Sequence, residues 1–507
     1  MIGFSSAPVS GALALFVLSC AAMQTWGAEK HSLGVFDGAE DIGQPQNSGS
    51  TAYDATKQEY VLTGAGANMW ADRDEFQFAW KRLKGDFIVT ARGRFLTEGG
   101  QPHKKFGWTA RASLDANAAN VSTPLHGEGL ADLLYRRATG AKTEEKKFER
   151  KGADVVQLER RGNKYIMSVA RFGEPFVSEE IDDIDLGDKP YVGLFVCAHK
   201  AEDIHRVALD NVRITIPAKD DFVPYKDYIG SDLELLDIDS GHREIVYHVN
   251  DSLQAPNWML DGKSLVYNRN GKLYRFDLAK REPTSIDTGD RTRLNNDHVI
   301  SPDAQWVGIS NNNREEGNKS IVYVVPIDGG QPRRITPQGH SYLHGWTPDA
   351  RALIYTGERN GVFDIYRTWL EGGEETRLTD SVGLNDGAEY SPDGKYIYFN
   401  STRSGLMQLW RMGPDGQNIE RVNDEPFNNW FPHFSPDGKW IAYISFPKEI
   451  DPKDHPFYKH VYLRLMPAAG GEAKTIAYVY GGQGTINVPS WSPDSKRLAF
   501  VSNTAGD

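Results

Sequence analysis

The chain has 507 residues, and its 57 Lys and Arg against 69 Asp and Glu give a formal net charge of −12. An acidic chain of this kind carries no general field for nucleic acid or anionic lipid, so partners held by bulk charge are excluded. Only two cysteines occur, at 20 and 197, which excludes a disulfide scaffold and a cysteine-rich zinc site. The 50 glycines and 26 prolines, with 12 Trp, 22 Tyr and 22 Phe, favour short strands and tight turns over long helices.

Residues 1–28 contain no charged side chain and no histidine, and Gly11 to Met23 is an apolar run. The run is shorter than the ~20 residues a bilayer span needs but has the length of a secretory core. A signal peptide over 1–28 is expected, with cleavage after Gly27 or Ala28. Val17-Leu18-Ser19-Cys20 offers a second reading, a poor lipoprotein-like box with lipidation at Cys20. No later segment reaches 18 apolar residues, so no transmembrane segment is expected, and a periplasmic or secreted location follows.

Residues 30–216 alternate apolar and polar in short segments, such as Phe76-Gln-Phe-Ala-Trp80, Tyr165-Ile-Met-Ser-Val-Ala170 and Val192-Gly-Leu-Phe-Val196. These predict half-buried strands arranged as a jelly-roll β-sandwich. Gly85-Asp-Phe87, the Tyr191–Val196 run and Asp210-Asn-Val-Arg-Ile214 resemble concanavalin-like sandwich domains. Such domains often bind sugars through aromatics, and Trp70, Trp80, Trp108 and Tyr135 are the candidates. Trp80 and Trp108 sit in strand patterns and are expected in the core. His103-Lys104-Lys105, Arg136-Arg137 and Lys146-Lys147 read as solvated turns, and Cys197 as a buried, inert thiol. Residues 217–231, with Pro217 and Pro224, read as a linker.

From 232 to 507 the chain repeats. Ser/Thr-Pro-Asp recurs at Asp303, Asp349, Asp393, Asp437 and Asp494, with a degenerate copy at Asp261, spaced by 42, 46, 44, 44 and 57 residues. Each marker follows an aromatic or apolar residue and precedes an apolar strand. Pro presets the first corner of a turn, Asp caps it, and a small residue follows. A period of ~40–45 residues with four short strands marks a propeller blade. Six markers predict six blades. The last repeat holds only two strands, while 232–249 forms a hairpin without a blade, so that hairpin is expected to close the ring.

The S-P-D-G-K motif, with its preceding aromatic and following strand, resembles the WD-type repeats of the TolB-like propellers, over 232–507. The resemblance implies an all-β chain: a jelly-roll sandwich followed by a six-bladed TolB-like β-propeller. It departs from that family at the N-terminus, where TolB carries a small α/β domain. Oligogalacturonate lyase-like proteins are a more distant resemblance.

Residues leading into each blade's inner strand become neighbours around the axial channel although they lie ~45 residues apart. Here the chain carries Asp297, His298, His344, Asp386, Glu389, His433 and Asn487. Imidazoles and carboxylates from several blades suit ligand binding, general acid–base work, or one divalent cation held by His298, His344 and His433. Polar channel lining and inter-blade hydrogen bonding account for the same residues without a ligand. Gly481-Gly-Gln-Gly484 lacks the Lys of a phosphate loop and reads as an inter-blade loop. The insert Asp451–Tyr458 is placed to cover a channel mouth, and no G-x-S-x-G nucleophile motif appears.

Two readings follow. One is an exported propeller that binds a glycan or a cell-envelope protein through its channel face. The alternative is a metal-dependent carbohydrate-active enzyme resembling oligogalacturonate lyase, for which Arg359 and Arg403 are candidate cations near the channel. Whether the chain catalyses a reaction is open at this point.

Overall fold

The computed structural model describes residues 33–506, so the expected signal peptide and Cys20 lie outside the described residues. The first part of the chain forms two antiparallel sheets, of eight and seven strands. The central strands of one are Phe76–Arg82, Tyr191–Cys197 and Lys105–Arg111; those of the other are Val155–Arg161, Phe87–Phe95 and His205–Thr215. Alternation along these strands sends Val89, Leu158 and Leu209 from one sheet against Ala79, Trp108, Val192 and Leu194 from the other, in a single core.

Trp108 is fully buried, and Trp80 is partly covered by the edge of Tyr191. Tyr135 is also buried, which leaves Trp70 as the exposed aromatic of the four. Cys197 is buried, and burial pushes its thiol up to about 11. The solvated-turn reading fails at Arg136, Lys104 and Lys105, which are all buried. Arg136 and Arg111 each place Nη1 2.8 Å from Oδ2 of buried Asp74. Lys105 Nζ donates to Asn68 Oδ1, and Lys104 Nζ to the carbonyls of Thr97 and Gly99. Each buried cation thus has the partner that makes burial tolerable, and sequence spacing gave no sign of Asp74. Lys146 and Lys147 are exposed, as expected, although on an edge strand.

The second part is a six-bladed ring. Five blades are four-stranded antiparallel sheets, with inner strands Leu253–Trp258, Leu294–Ile300, Ser341–Trp346, Asn385–Tyr390 and Phe427–Phe434. The sixth combines chain-distant pieces. Gly230–Asp237 pairs with Arg497–Thr504 on one side and Arg243–Val249 on the other, and Trp491 bridges Leu498 at the inner position. The orphan hairpin therefore closes the ring and removes its free edges.

The marker is a hydrogen-bonded turn. The hydroxyls of Ser301, Thr347, Ser391, Ser435 and Ser492 donate to Oδ1 of the Asp two residues on, at 2.5–2.8 Å. Each hydroxyl also accepts the N–H five residues later, that of Trp306 in the second blade. The residue after the Asp is left-handed in all six copies: Gly262, Ala304, Ala350, Gly394, Gly438 and Ser495, with φ of 54–71°. Small residues recur there because bulkier side chains pay most for that backbone. The aromatics ahead of the marker join blades: Trp346 Nε1 donates to Val299 O and Trp491 Nε1 to His433 O, both at 2.9 Å.

The two parts are joined tightly. Gln58 makes a two-way bond with the backbone of Ile245, Thr475 N donates to Gly173 O, and His460 Nε2 lies 3.0 Å from Glu159 Oε2. Residues 216–229 contain no strand, yet the segment is packed, with Ile229 N donating to Tyr458 Oη and Phe222 set edge-on to Tyr458. No helix among the described residues is long and apolar enough to cross a membrane.

Candidate functional site

Four of the inner strands carry titratable residues into the channel, and in five blades a register shift breaks the inner pairing just before the marker. Such bulges re-aim side chains. Ala255, Gly387 and Phe431, each six residues before its Asp, are left-handed there. Gly387 has no alternative, since a Cβ would lie 2.3 Å from Asn400 Oδ1 and 2.9 Å from the Phe431 ring.

The expected site residues separate into pairs. His344 Nε2 lies 2.9 Å from Asp386 Oδ1, and the His344 ring stacks on Phe431 with centroids 5.6 Å apart. Asp386 Oδ1 also accepts from Thr356 Oγ1. His433 faces an acceptor at each nitrogen, with Nδ1 2.7 Å from Glu389 Oε2 and Nε2 3.0 Å from Ile486 O. The second oxygen of Glu389 accepts from Phe434 N. His298 Nε2 lies 3.3 Å from Val266 O, and its Nδ1 is buried with no hydrogen-bond partner. Asn487 accepts from Gly484 N and donates to Gln483 Oε1.

A shared cation is not built by this arrangement. Among the described residues, no three channel side chains bring ligand atoms within 4.8 Å of one another. His433 spends both nitrogens on protein oxygens, and carboxylates already sit against His344 and His433. Arg359 and Arg403 are not channel cations either. Arg359 pairs with Glu375 at 2.7 Å, and Arg403 with Asp380 at 3.2 Å and Asn385 Oδ1 at 3.1 Å. Nor are they solvated turn residues, because their side chains are about nine-tenths buried.

Electrostatically, Asp297, His344 and Asp386 form one group. Burial pushes the Asp297 carboxyl up to about 7, with Asp386 adding to the rise and His344 opposing it. Burial disfavours charge on Asp386 too, but His344 outweighs it and holds Asp386 down at about 2. Burial likewise acts against a charged His344, and Asp386 and Asp297 outweigh it, so its pKa lies above the ordinary value. Burial holds His298 down to about 4, which leaves a neutral ring. The two carboxyls thus titrate far apart, the arrangement acid–base chemistry needs.

The two ends of the channel differ in chemistry. The end at the marker turns is a pocket of about 320 Å³ lined by Trp258, Trp346, Trp491 and the marker prolines, with Glu389 at its side. The opposite mouth is a pocket of about 290 Å³ with no charged side chain in its lining. Seven carboxamides surround it, among them Asn268, Asn296, Asn312 and Gln483, together with Tyr225, Tyr228 and Phe457. Gln483 Nε2 lies 3.4 Å from Asn296 Oδ1 in this lining, and the charge of Asp297 is felt at Tyr225 of the same lining. The insert lies over this mouth: Phe457 lines it, and the His455 ring stacks on Trp430 at 4.4 Å.

Comparison with known proteins fits this architecture. Residues 338–455 match the family model described as the TolB beta propeller domain. An uncharacterized protein of Agrobacterium fabrum is 44% identical over 272 residues, which cover 54% of this chain and 92% of the relative. The chain belongs to the TolB-type β-propeller family. A solved structure provisionally assigned as TolB from Agrobacterium tumefaciens has 43% identity and a TM-score of 0.53, covering 55% of this chain and all of that one. The Tol-Pal system protein TolB of Bordetella pertussis is 28% identical over 151 residues, 28% of this chain and a third of that protein.

Within this TolB-type propeller, sequence reasoning missed the carboxamide mouth. The signal was present as Asn295-Asn296 and Asn311-Asn312-Asn313, and as Asn268 and Asn270 either side of Arg269. Asparagine is the default residue of turns, so these read as loop chemistry until the ring closes and aligns strand ends from neighbouring blades. Tyr225 and Tyr228 were hidden for a related reason: they belong to the linker, which the fold lays across the mouth.

Proposed function

We propose that this chain is an exported, periplasmic TolB-type propeller protein that binds a neutral glycan at the carboxamide-lined mouth of its channel. The observation that carries the reading is a pair of orphan groups. Asn268 Oδ1 and Asn296 Nδ2 are buried without hydrogen-bond partners, an acceptor and a donor in the wall of one pocket. Buried polar groups cost free energy until paired, and a sugar hydroxyl both donates and accepts. Tyr225, Tyr228 and Phe457 supply flat apolar surface for a pyranose face, and the uncharged lining suits a neutral ligand. In this reading the N-terminal unit is a concanavalin-like jelly roll, exported with the propeller and docked beside it. The test is a glycan array probed with the full chain, followed by calorimetry on the best neutral oligosaccharide. Asn296→Ala and Asn268→Ala should each weaken binding about tenfold, the value of one good buried hydrogen bond. Binding only to acidic glycans, or affinity unchanged in both variants, would overturn the reading.

One observation favours a second reading, in which the bound glycan is also cleaved. Asp297, whose carboxyl burial raises to about 7 so that a large fraction keeps its proton at neutral pH, is electrostatically coupled to the His344–Asp386 pair and to Tyr225 of the pocket lining. A carboxylic acid in this state can protonate a leaving oxygen, and this chemistry needs no cation. Product analysis on the same oligosaccharide, with Asp297→Asn as the comparison, decides between binding and turnover.

A further inference from the structure

A second cluster lies on the N-terminal unit, away from the propeller channel. We propose that His103, His126 and Glu128 form a binding site for a divalent transition-metal ion of the zinc class.

Each of the three residues offers one ligand atom, and these atoms all lie within 4.8 Å of one another. His103 Nδ1 is already 2.9 Å from Glu128 Oε1. Two imidazoles and a carboxylate are the donor set that zinc and its neighbours prefer, with a position left for water or a further ligand. The His199 ring flanks the cluster, its centroid 5.3 Å from that of His103, and its Nδ1 is buried with no partner.

The backbone holding these side chains is fixed from both sides. His126 pairs with Lys105 across the strand ladder. Beyond it, Gly127 N donates to Lys104 O at 2.8 Å and Glu128 N to Pro102 O at 3.0 Å. The two ligand-bearing turns therefore cannot drift apart. Tetrahedral bonds of ~2.0–2.1 Å require donor atoms on the order of 3.3 Å apart. The side chains of His103 and Glu128 are about half exposed and can rotate to close the remaining gap.

His126 provides the independent observation. Its side chain is buried, and neither ring nitrogen has a hydrogen-bond partner. Its Nε2 lies 3.0 Å from Asp132 Oδ2. A carboxylate this close to one ring nitrogen favours the proton there and leaves the other nitrogen as the lone-pair donor, the arrangement in which protein histidines ligate metals. Lys105 is the facing cation and opposes a metal. Its ammonium is turned onto Asn68 Oδ1, and the carboxylates of Asp132, Asp74 and Glu145 offset it.

The experiment uses untagged full chain, stripped with chelator and titrated with Zn²⁺ by calorimetry and thermal melting. One equivalent should bind with micromolar or tighter Kd and raise the Tm, since the ion binds the folded state. His103→Ala and Glu128→Gln, at half-exposed positions that folding tolerates, should each weaken binding at least tenfold. Asp132→Asn should weaken it 10–100-fold by releasing the His126 tautomer, while His344→Ala in the channel should leave it unchanged. No binding tighter than ~100 μM would overturn the proposal. So would binding that survives His103→Ala and Glu128→Gln, or that His344→Ala removes.

Discussion

Arg213 of the N-terminal unit places Nη2 2.7 Å from Oε2 of Glu234, in the strand that closes the propeller. Arg243 reaches Glu234 from the neighbouring strand, with Nη2 2.6 Å from Oε1, and the carboxylate is fully buried. Burial alone would raise its pKa, but the two guanidiniums outweigh burial and hold it at about 2. One buried acid therefore joins the last strands of the first unit to the closing strands of the ring. Glu234→Gln leaves two cations without a counter-charge, and a loss of about 3–5 kcal/mol is expected by chemical denaturation at pH 7. The folded value lies below the unfolded one, so this stabilisation is present above about pH 4.5 and is lost as pH falls toward 2. The difference between Glu234→Gln and the parent should therefore narrow between pH 4.5 and 2; a constant difference would contradict the assignment.

The closure itself is testable at Leu233. Its fully buried side chain packs with Ala499 and Val501 from the chain's far end and with Leu253 and Leu265 from the first blade. Leu233→Ala should cost about 2–5 kcal/mol, in the range of cavity-forming core truncations. Leu260→Ala, at a residue 52% exposed on the marker turn of the first blade, should cost under ~0.5 kcal/mol. Paired denaturation curves check both values.

The repeat and its closure were readable in the sequence because the marker is a local hydrogen-bonding device. Ser391 and Asp393 bond to each other and to their own turn, so the pattern survives in every copy. That His298, His344 and His433 lie on inner strands of their blades was readable for the same reason. Their partners were not. Whether His433 meets a cation or Glu389 depends on side-chain direction after a bulge, and Trp430/His433 and Asp386/Glu389 are both register breaks. Asp74, which neutralises Arg111 and Arg136 from 37 and 62 residues away, had no signature at all. Long-range pairing of buried charge leaves no period to detect.

The His344–Asp386 contact predicts a titration. Asp386 is the main influence that raises the His344 pKa against burial. Asp386→Asn removes that charge while keeping the shape, so burial should then dominate and move the His344 pKa downward. Long-range ¹H–¹⁵N spectra of the imidazoles across pH 4–9 measure it directly. An unchanged His344 titration would mean that Asp386 does not set its charge.

Asp297 gives the opposite sign from Glu234. Burial raises its folded value to about 7 from an ordinary 3.8, so the native state holds a proton the unfolded state has lost. Stability then falls as pH rises from about 4 to 7, and the cost persists above that range. Asp297→Asn keeps a neutral side chain of the same size. At pH 4 it should match the parent; at pH 8 it should be more stable, by ~1–3 kcal/mol. A stabilising change at a buried polar position marks a residue retained for something other than stability. The two functional readings then divide on one comparison. Under binding alone, Asp297→Asn keeps affinity for the neutral glycan, because the pocket wall of Asn268, Asn296 and the tyrosines is intact. Under cleavage, affinity is also kept but product formation falls at least 100-fold, in line with the ~10²–10⁴-fold that a positioned general acid supplies. Loss of affinity itself would contradict both, since it would place Asp297 in the pocket wall rather than beneath it.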